Sequence, residues 1–140
     1  NLVIETGCYH GDTTRAIYFA MKQNRCGRFC TCDLNLEYAQ EAGGICCTGE
    51  QLIRSLDDNS VDIAFLDSAG GFERAREAKA LIPKLAPIAF VLLHDSLNSS
   101  DKCHAEISAV CNWPSVVLPY GRGLTMFCVG QQIAKDKIPR

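Results

Sequence analysis

The first fourteen residues, N-L-V-I-E-T-G-C-Y-H-G-D-T-T, constrain the fold more than any other stretch of the chain. The apolar run Leu2-Val3-Ile4 is too short for a helix and suits a buried parallel strand, which the acid Glu5 closes. Gly7 and Gly11 then let the backbone turn sharply and approach a ligand before Thr13 and Thr14 open a helix. The pattern E-x-G-x-x-x-G departs from the G-x-G-x-x-G of dinucleotide sites. A carboxylate at the strand end would repel a pyrophosphate but can pair with a cationic amino acid. A cofactor with a positive end is therefore favoured over a nicotinamide, and a nicotinamide oxidoreductase fails on both Glu5 and the glycine spacing.

The same alternation of strand and helix continues along the chain. An amphipathic helix is expected from Thr13 to Asn24, with Ile17, Ala20 and Met21 inside and Arg15 and Lys22 outside. Arg28 to Asp33 reads as a second strand. Asp33 closes it about twenty residues after the glycine turn, where doubly wound nucleotide folds place an acid against ribose hydroxyls. Short helices are expected over Leu36 to Ala42 and Glu50 to Leu56, around a brief strand Ile45-Cys46-Cys47. A fourth strand runs from Val61 to Asp67. It is followed by a helix from Phe72 with Ala75, Ala78, Ile82 and Leu85 along one side and a kink at Pro83. Ile88 to Leu93 is a fifth strand that leads to Asp95.

After a helix from Asp101 to Cys111, the segments Val116 to Leu118 and Leu124 to Val129 are joined by Pro119-Tyr120-Gly121-Arg122-Gly123, which suits an antiparallel hairpin. Gln131 to Arg140 reads as a frayed polar end. Strands that repeatedly finish on Asp or Glu gather those carboxylates at one edge of a parallel sheet.

The totals agree with one domain over residues 1–140, long enough for a real core. A net charge of −2 without a basic cluster gives no ground for a nucleic-acid partner. No apolar run is long enough for a membrane span, and the chain reads as soluble. The nine cysteines form no paired C-x-x-C knuckles and read as small packing residues, reduced in a cytoplasmic setting.

The stretch E-T-G-C-Y-H-G-D-T resembles the first motif of class I S-adenosylmethionine-dependent methyltransferases, especially the small catechol-type O-methyltransferases and their sugar-modifying relatives. The resemblance extends to about Gly130. It implies a Rossmann-like α/β/α sandwich, a mostly parallel seven-stranded sheet in the order 3-2-1-4-5-7-6 with an antiparallel C-terminal hairpin. It also implies a domain without the N-terminal helices that usually cover the substrate. On it, Glu5, Gly7, Gly11 and Tyr9 would surround the amino-acid half of S-adenosylmethionine, Asp33 its ribose, and Gly49 and Glu50 its adenine.

Phe65-Leu66-Asp67 and Leu93-His94-Asp95-Ser96 resemble the two strand ends that hold magnesium in the metal-dependent O-methyltransferases, which would make Asp67, Asp95 and Ser96 the ligands. Magnesium prefers such hard oxygens, and it lowers the pKa of a bound hydroxyl. Two positions depart from the catechol pattern: Ser96 stands where an Asn is usual, and Gly70 where the catalytic Lys would be. A histidine could serve as base instead, His94 or His10 ahead of His104, although strand alternation turns His94 away if Asp95 faces the site. The implied activity is methyl transfer to a hydroxyl of a small molecule or glycan, with Asp67 and Asp95 at the reacting centre. The alternative is a non-catalytic module that keeps the cofactor fold for binding or assembly.

Overall fold

A computed structural model describes residues 1–97, 103–119 and 121–130. Seven strands form one sheet: β1 (Leu2–Thr6), β2 (Arg28–Asp33), β3 (Ile45–Cys46), β4 (Val61–Leu66), β5 (Leu85–His94), β6 (Ser115–Leu118) and β7 (Leu124–Val129). Their order is β3-β2-β1-β4-β5-β7-β6, with β1 to β5 parallel and β7 antiparallel to both β5 and β6. The expected seven-stranded, Rossmann-like sheet is therefore present. β1 lies between β2 and β4 and is buried along its whole length, which is why it has no polar alternation.

Five helices connect the strands: α1 (Asp12–Asn24), α2 (Leu36–Glu41), α3 (Gly49–Arg54), α4 (Gly71–Leu81) and α5 (Cys103–Val110). The path from β1 to β3 runs one way along the sheet, and the path through β4 and β5 runs the other. Right-handed crossovers then put α1 and α2 on one face and α3 and α4 on the opposite face, where α4 packs between α3 and α5. Local chemistry sets the helix starts. Asn35 caps α2 by accepting from the Glu37 and Tyr38 amides, and Thr48 and Gln51 form a reciprocal capping box on α3.

The core lies between the α4 face and the sheet, with Ile4, Ala64, Leu66, Val91, Leu93 and Phe127 fully buried. Ala89, Val91 and Leu93 alternate with Ile88 and Phe90, which stay exposed on the other side of β5. Among the described residues, no helix is long and apolar enough to cross a membrane.

Several expected boundaries move. α4 ends at Leu81, and Pro83 sits in a 3₁₀ turn over Ile82–Lys84 instead of kinking a longer helix. Leu85 therefore belongs to β5, which begins three residues earlier than the apolar run suggests, and Ile82 is exposed. The early part of β5 contains Pro87, which cannot donate to a ladder. A register shift between the Val61–Leu85 and Ile63–Phe90 pairs absorbs it. The buried side of α4 is formed by Arg74, Glu77, Ala78 and Leu81, so its N-terminal half buries charge. The expected frayed end at residues 131–140, the first two residues of the helix expected from Asp101, and Tyr120 lie outside the described residues.

The cysteines whose side chains are described are all free, yet they are not uniformly packing residues. Cys8, Cys32 and Cys111 are buried, whereas Cys26 and Cys46 are exposed. Burial pushes the Cys111 thiol up to about 11 and the Cys32 thiol higher still. A thiol reagent on the native chain should label Cys26 and Cys46 first and reach Cys32 and Cys111 only on unfolding, when nine thiols should be counted. Labelling of Cys32 as fast as Cys26 would contradict this packing.

Candidate functional site

The site is built from the loops that leave the C-terminal ends of β1, β2, β4 and β5. After Thr6 the chain turns at Gly7, whose φ is +79° and whose amide donates to the Cys32 carbonyl at 2.9 Å. A Cβ on Gly7 would lie 2.4 Å from the Asp67 carbonyl oxygen, so only glycine fits where the first loop meets the end of β4. Tyr9 takes a left-handed φ of +45° and donates its amide to Asp33 Oδ2 at 2.9 Å. Asp33 Oδ1 accepts from the Asn35 amide at 2.8 Å, so one carboxylate ties the glycine loop to the start of α2.

Glu5 is not in the cleft as expected. It is 1% exposed, and its Oε2 accepts from Thr14 at 2.5 Å and Thr31 at 2.7 Å, stapling β1 to α1 and β2. The reason is strand alternation: a residue within β1 points to a face of the sheet, and only residues past its end reach the edge. Burial pushes the Glu5 carboxyl above its ordinary range, more than the two threonine hydrogen bonds pull it down. Glu50 also turns away, pairing with Arg54 and Arg76 at 2.7 Å each, and Gly11 lies outside the cleft wall at the start of α1.

The cleft itself has a volume of about 650 Å³, and Gly7, Tyr9, His10, Asp33, Gly49, Asp67, His94 and Asp95 line it. At Gly49 a Cβ would lie 2.1 Å from Glu77 Oε1, so glycine is what lets α3 approach α4. Glu77 is buried, accepts from Thr6 Oγ1 at 2.9 Å, and has its carboxyl pushed up by burial. His10 lines the cleft within an aromatic trio, its ring centroid 4.0 Å from Tyr9 and 4.9 Å from Tyr38. His104 stacks on Phe127 instead.

At the other end of the cleft, His94 Nδ1 lies 3.1 Å from Asp67 Oδ1 and 3.2 Å from Asp95 Oδ1. Strict alternation would have separated His94 from Asp95. The structure instead ends β5 at His94 and places Asp95 at a left-handed φ of +53°, which turns both side chains toward Asp67. Two arginines that the sequence patterning missed complete the cluster. Arg74, 5% exposed, reaches Asp67 Oδ1 at 3.3 Å and also donates to the Ser68 and His94 carbonyls. Arg122 in the β6–β7 turn reaches Asp95 Oδ2 at 2.8 Å. Burial raises the Asp67 carboxyl, and His94 and Arg74 pull it back. An acid at position i with an Arg at i+7 on the following helix was the available signal for Arg74. Arg122 had none beyond its place in a turn.

Donor atoms of Asp67, His94 and Asp95 lie within 4.8 Å of one another, close enough to share one small ion. The set nevertheless suits magnesium poorly. Ser96, expected as a ligand, is buried outside the cleft wall with its amide on the Gly123 carbonyl. The third donor is an imidazole nitrogen, and each carboxylate already holds a guanidinium.

Residues 4–96 match a family model described as a methyltransferase domain. No curated protein sequence matches the chain. Among solved structures, the chain is similar to an S-adenosylhomocysteine-bound methyltransferase from Podospora anserina, at 14% identity and a TM-score of 0.73, over 90% of this chain and 70% of that one. It is similar to a candidate caffeoyl-CoA O-methyltransferase from Staphylococcus aureus, at 14% identity and a TM-score of 0.70, over 93% and 76%. It is also similar to spermidine synthase from Thermotoga maritima, at 16% identity and a TM-score of 0.70, over 93% and 53%. At such identities the likeness shows the fold, and the fold hosts more than one chemistry.

Glu5 provides a test of the site's foundation. Its raised carboxyl means that the folded chain holds this proton more tightly than the unfolded chain, so stability falls as pH rises from the ordinary carboxyl range to the raised value. Glu5→Gln removes that loss. In urea melts its stability relative to the native chain should climb with pH through this window, and a pH-independent difference would show that Glu5 ionises equally well in both states.

Proposed function

We propose, on the premise that this chain belongs to the methyltransferase-domain family, that it transfers the methyl group of S-adenosylmethionine to a hydroxyl of a small molecule or glycan. The observation that carries the reading is the joining, in one cleft, of the Gly7–Asp33 end with the Asp67–His94–Asp95 end. Asp33 keeps acceptor capacity beyond its two amide hydrogen bonds, as ribose hydroxyls require. Gly7 and Gly49 put bare backbone in the cleft wall along which the cofactor would lie, and Tyr9 stands beside its amino-acid end. Glu5 acts from behind, holding β1, α1 and β2 in place, and Glu50 anchors the outer side of α3.

For the transfer itself, His94 is the proton acceptor. With Nδ1 protonated and donating to Asp67 Oδ1, Nε2 keeps its lone pair on a side chain that is 42% exposed in the cleft. The acceptor O–H gives its proton to Nε2 as the oxygen attacks the methyl carbon. The C–O bond forms, the C–S bond breaks with its electron pair on sulfur, and S-adenosylhomocysteine leaves. Holding the two reactants in line makes the transfer an effectively unimolecular step. His10, on the other side of the cleft, is left for binding.

A second reading, a cofactor-binding module without catalysis, draws on the pairing of both acids with arginines, which quiets the charge of the cluster. Calorimetry with S-adenosylhomocysteine and NAD, followed by an acceptor screen with labelled methyl donor, separates the two. S-adenosylhomocysteine should bind and NAD should not, and Asp33→Ala should weaken binding by about 1–3 kcal/mol. His94→Ala should keep cofactor affinity while slowing transfer by about 10²–10⁴-fold. Binding without turnover on any hydroxyl acceptor would favour the module, and NAD binding alone would refute both.

A further inference from the structure

We infer that Arg122 stands in the place of a divalent cation at Asp95, so that methyl transfer by this chain proceeds without a metal. The inference rests on the methyltransferase reading above and adds what balances the charge of the reacting centre. Asp67 and Asp95 each come within 3.2 Å of the same imidazole nitrogen. Carboxylates gathered in this way repel unless positive charge lies between or beside them.

That charge is already supplied by the chain. Arg74 faces Asp67 at 3.3 Å and Arg122 faces Asp95 at 2.8 Å, so two carboxylates meet two guanidiniums. A doubly charged ion added to this cluster would leave surplus positive charge beside a sulfonium. Magnesium also demands a near-octahedral shell of oxygens, whereas the third donor is His94 Nδ1 and Ser96 lies outside the cleft wall.

The two arginines are not equivalent. Arg74 is buried and fixed by the Ser68 and His94 carbonyls, so it is part of the scaffold. Arg122 is 67% exposed on the β6–β7 turn, while the carboxylate that it meets is 8% exposed. Asp95 Oδ1 is buried without a hydrogen bond, with the His94 ring nitrogen 3.2 Å away, which leaves the Arg122 guanidinium on Oδ2 as the permanent positive charge against this carboxylate. Removing Arg122 therefore exposes an uncompensated carboxylate beside His94 and Asp67, the situation in which a cation would enter. Arg122 is thus a positioning residue for Asp95. A consequence for the substrate follows: with no ion to chelate, an acceptor needs only one hydroxyl, not an adjacent pair of oxygens.

The test is calorimetric titration of Mg²⁺ and Mn²⁺ into chelator-treated protein beside S-adenosylhomocysteine, with EDTA added to transfer assays on the acceptor from the screen. The native chain should take up neither ion at millimolar concentration, and EDTA should leave turnover unchanged. Arg122→Gln should bind Mn²⁺ about tenfold or more tightly than the native chain. Arg122→Lys retains the charge and should not, and Asp95→Asn added to Arg122→Gln should remove the new binding. One-to-one Mg²⁺ uptake by the native chain, EDTA-sensitive turnover, or an Arg122→Gln protein with no gain in Mn²⁺ affinity overturns the inference. The native titration decides even if a variant does not fold. Native Mg²⁺ uptake with S-adenosylhomocysteine binding intact would remove this inference and leave the methyltransferase reading standing, whereas a native chain that binds no S-adenosylhomocysteine would overturn the methyltransferase reading and this inference with it.

Discussion

The contact between Gly7 and the Asp67 carbonyl is the constraint on which the rest of the cleft depends. A side chain at Gly7 would have to occupy space 2.4 Å from that oxygen, so the loop after β1 and the end of β4 could not close on one another. The Asp67 amide donates to the Thr6 carbonyl at 3.0 Å, extending the β1–β4 ladder right up to this contact. Because β1 is the strand at which the chain reverses its direction along the sheet, the loops on either side of the junction diverge and leave an open crevice. One end of that crevice receives Asp33 and the other receives Asp67. Between those two ends the junction itself is bare backbone.

Buried charge gathers around this junction, and so do two left-handed residues, while two others, Arg25 and Asn59, sit in turns elsewhere in the fold. Tyr9 and Asp95 both take left-handed backbone conformations, and each is held by a polar contact, Tyr9 through its amide to Asp33 and Asp95 through Arg122. Glu5, behind the cleft wall, and Arg74 and Glu77, within it, are buried charged or titratable groups, and each joins separate elements. Glu5 joins β1, β2 and α1; Glu77 joins α4 to the end of β1; and Arg74 ties α4 to the ends of β4 and β5. Buried polar groups with several partners specify one arrangement, since any slip leaves them unsatisfied. The cleft geometry is therefore over-determined, by Glu5 from behind the wall and by Arg74 and Glu77 within it.

Much of this was legible in the amino-acid order. The strands β1, β2, β4 and β7 stand close to where their apolar runs put them, because a short apolar run bounded by turn residues is a signal that is local in sequence. Asp33, Asp67 and Asp95 were recognisable as strand-end acids for the same reason. The failures share a cause as well. Glu5 looked like a cleft residue because its position next to a glycine turn is a sequence fact, whereas its facing is decided by the pleat of β1. Alternation counted against His94, a candidate base, because the left-handed turn at Asp95 is a tertiary outcome, stabilised by an arginine 27 residues away in the chain. Leu85 was assigned to a helix because apolar spacing cannot distinguish the end of α4 from the start of β5 when Pro83 lies between them.

The sequence by itself determined the order of strands and helices, the parallel sheet with its terminal hairpin, and the set of carboxylates at one sheet edge, since each depends on apolar period, turn chemistry and connection length. Only the tertiary structure decided which of those carboxylates face the cleft, what neutralises them, and which histidine meets them. Those outcomes depend on contacts between residues that the sequence separates widely: Thr31 on Glu5, Arg74 on Asp67, Arg122 on Asp95. The strength of such a contact is set by distance and burial in the folded chain, and neither quantity has a local counterpart in the sequence.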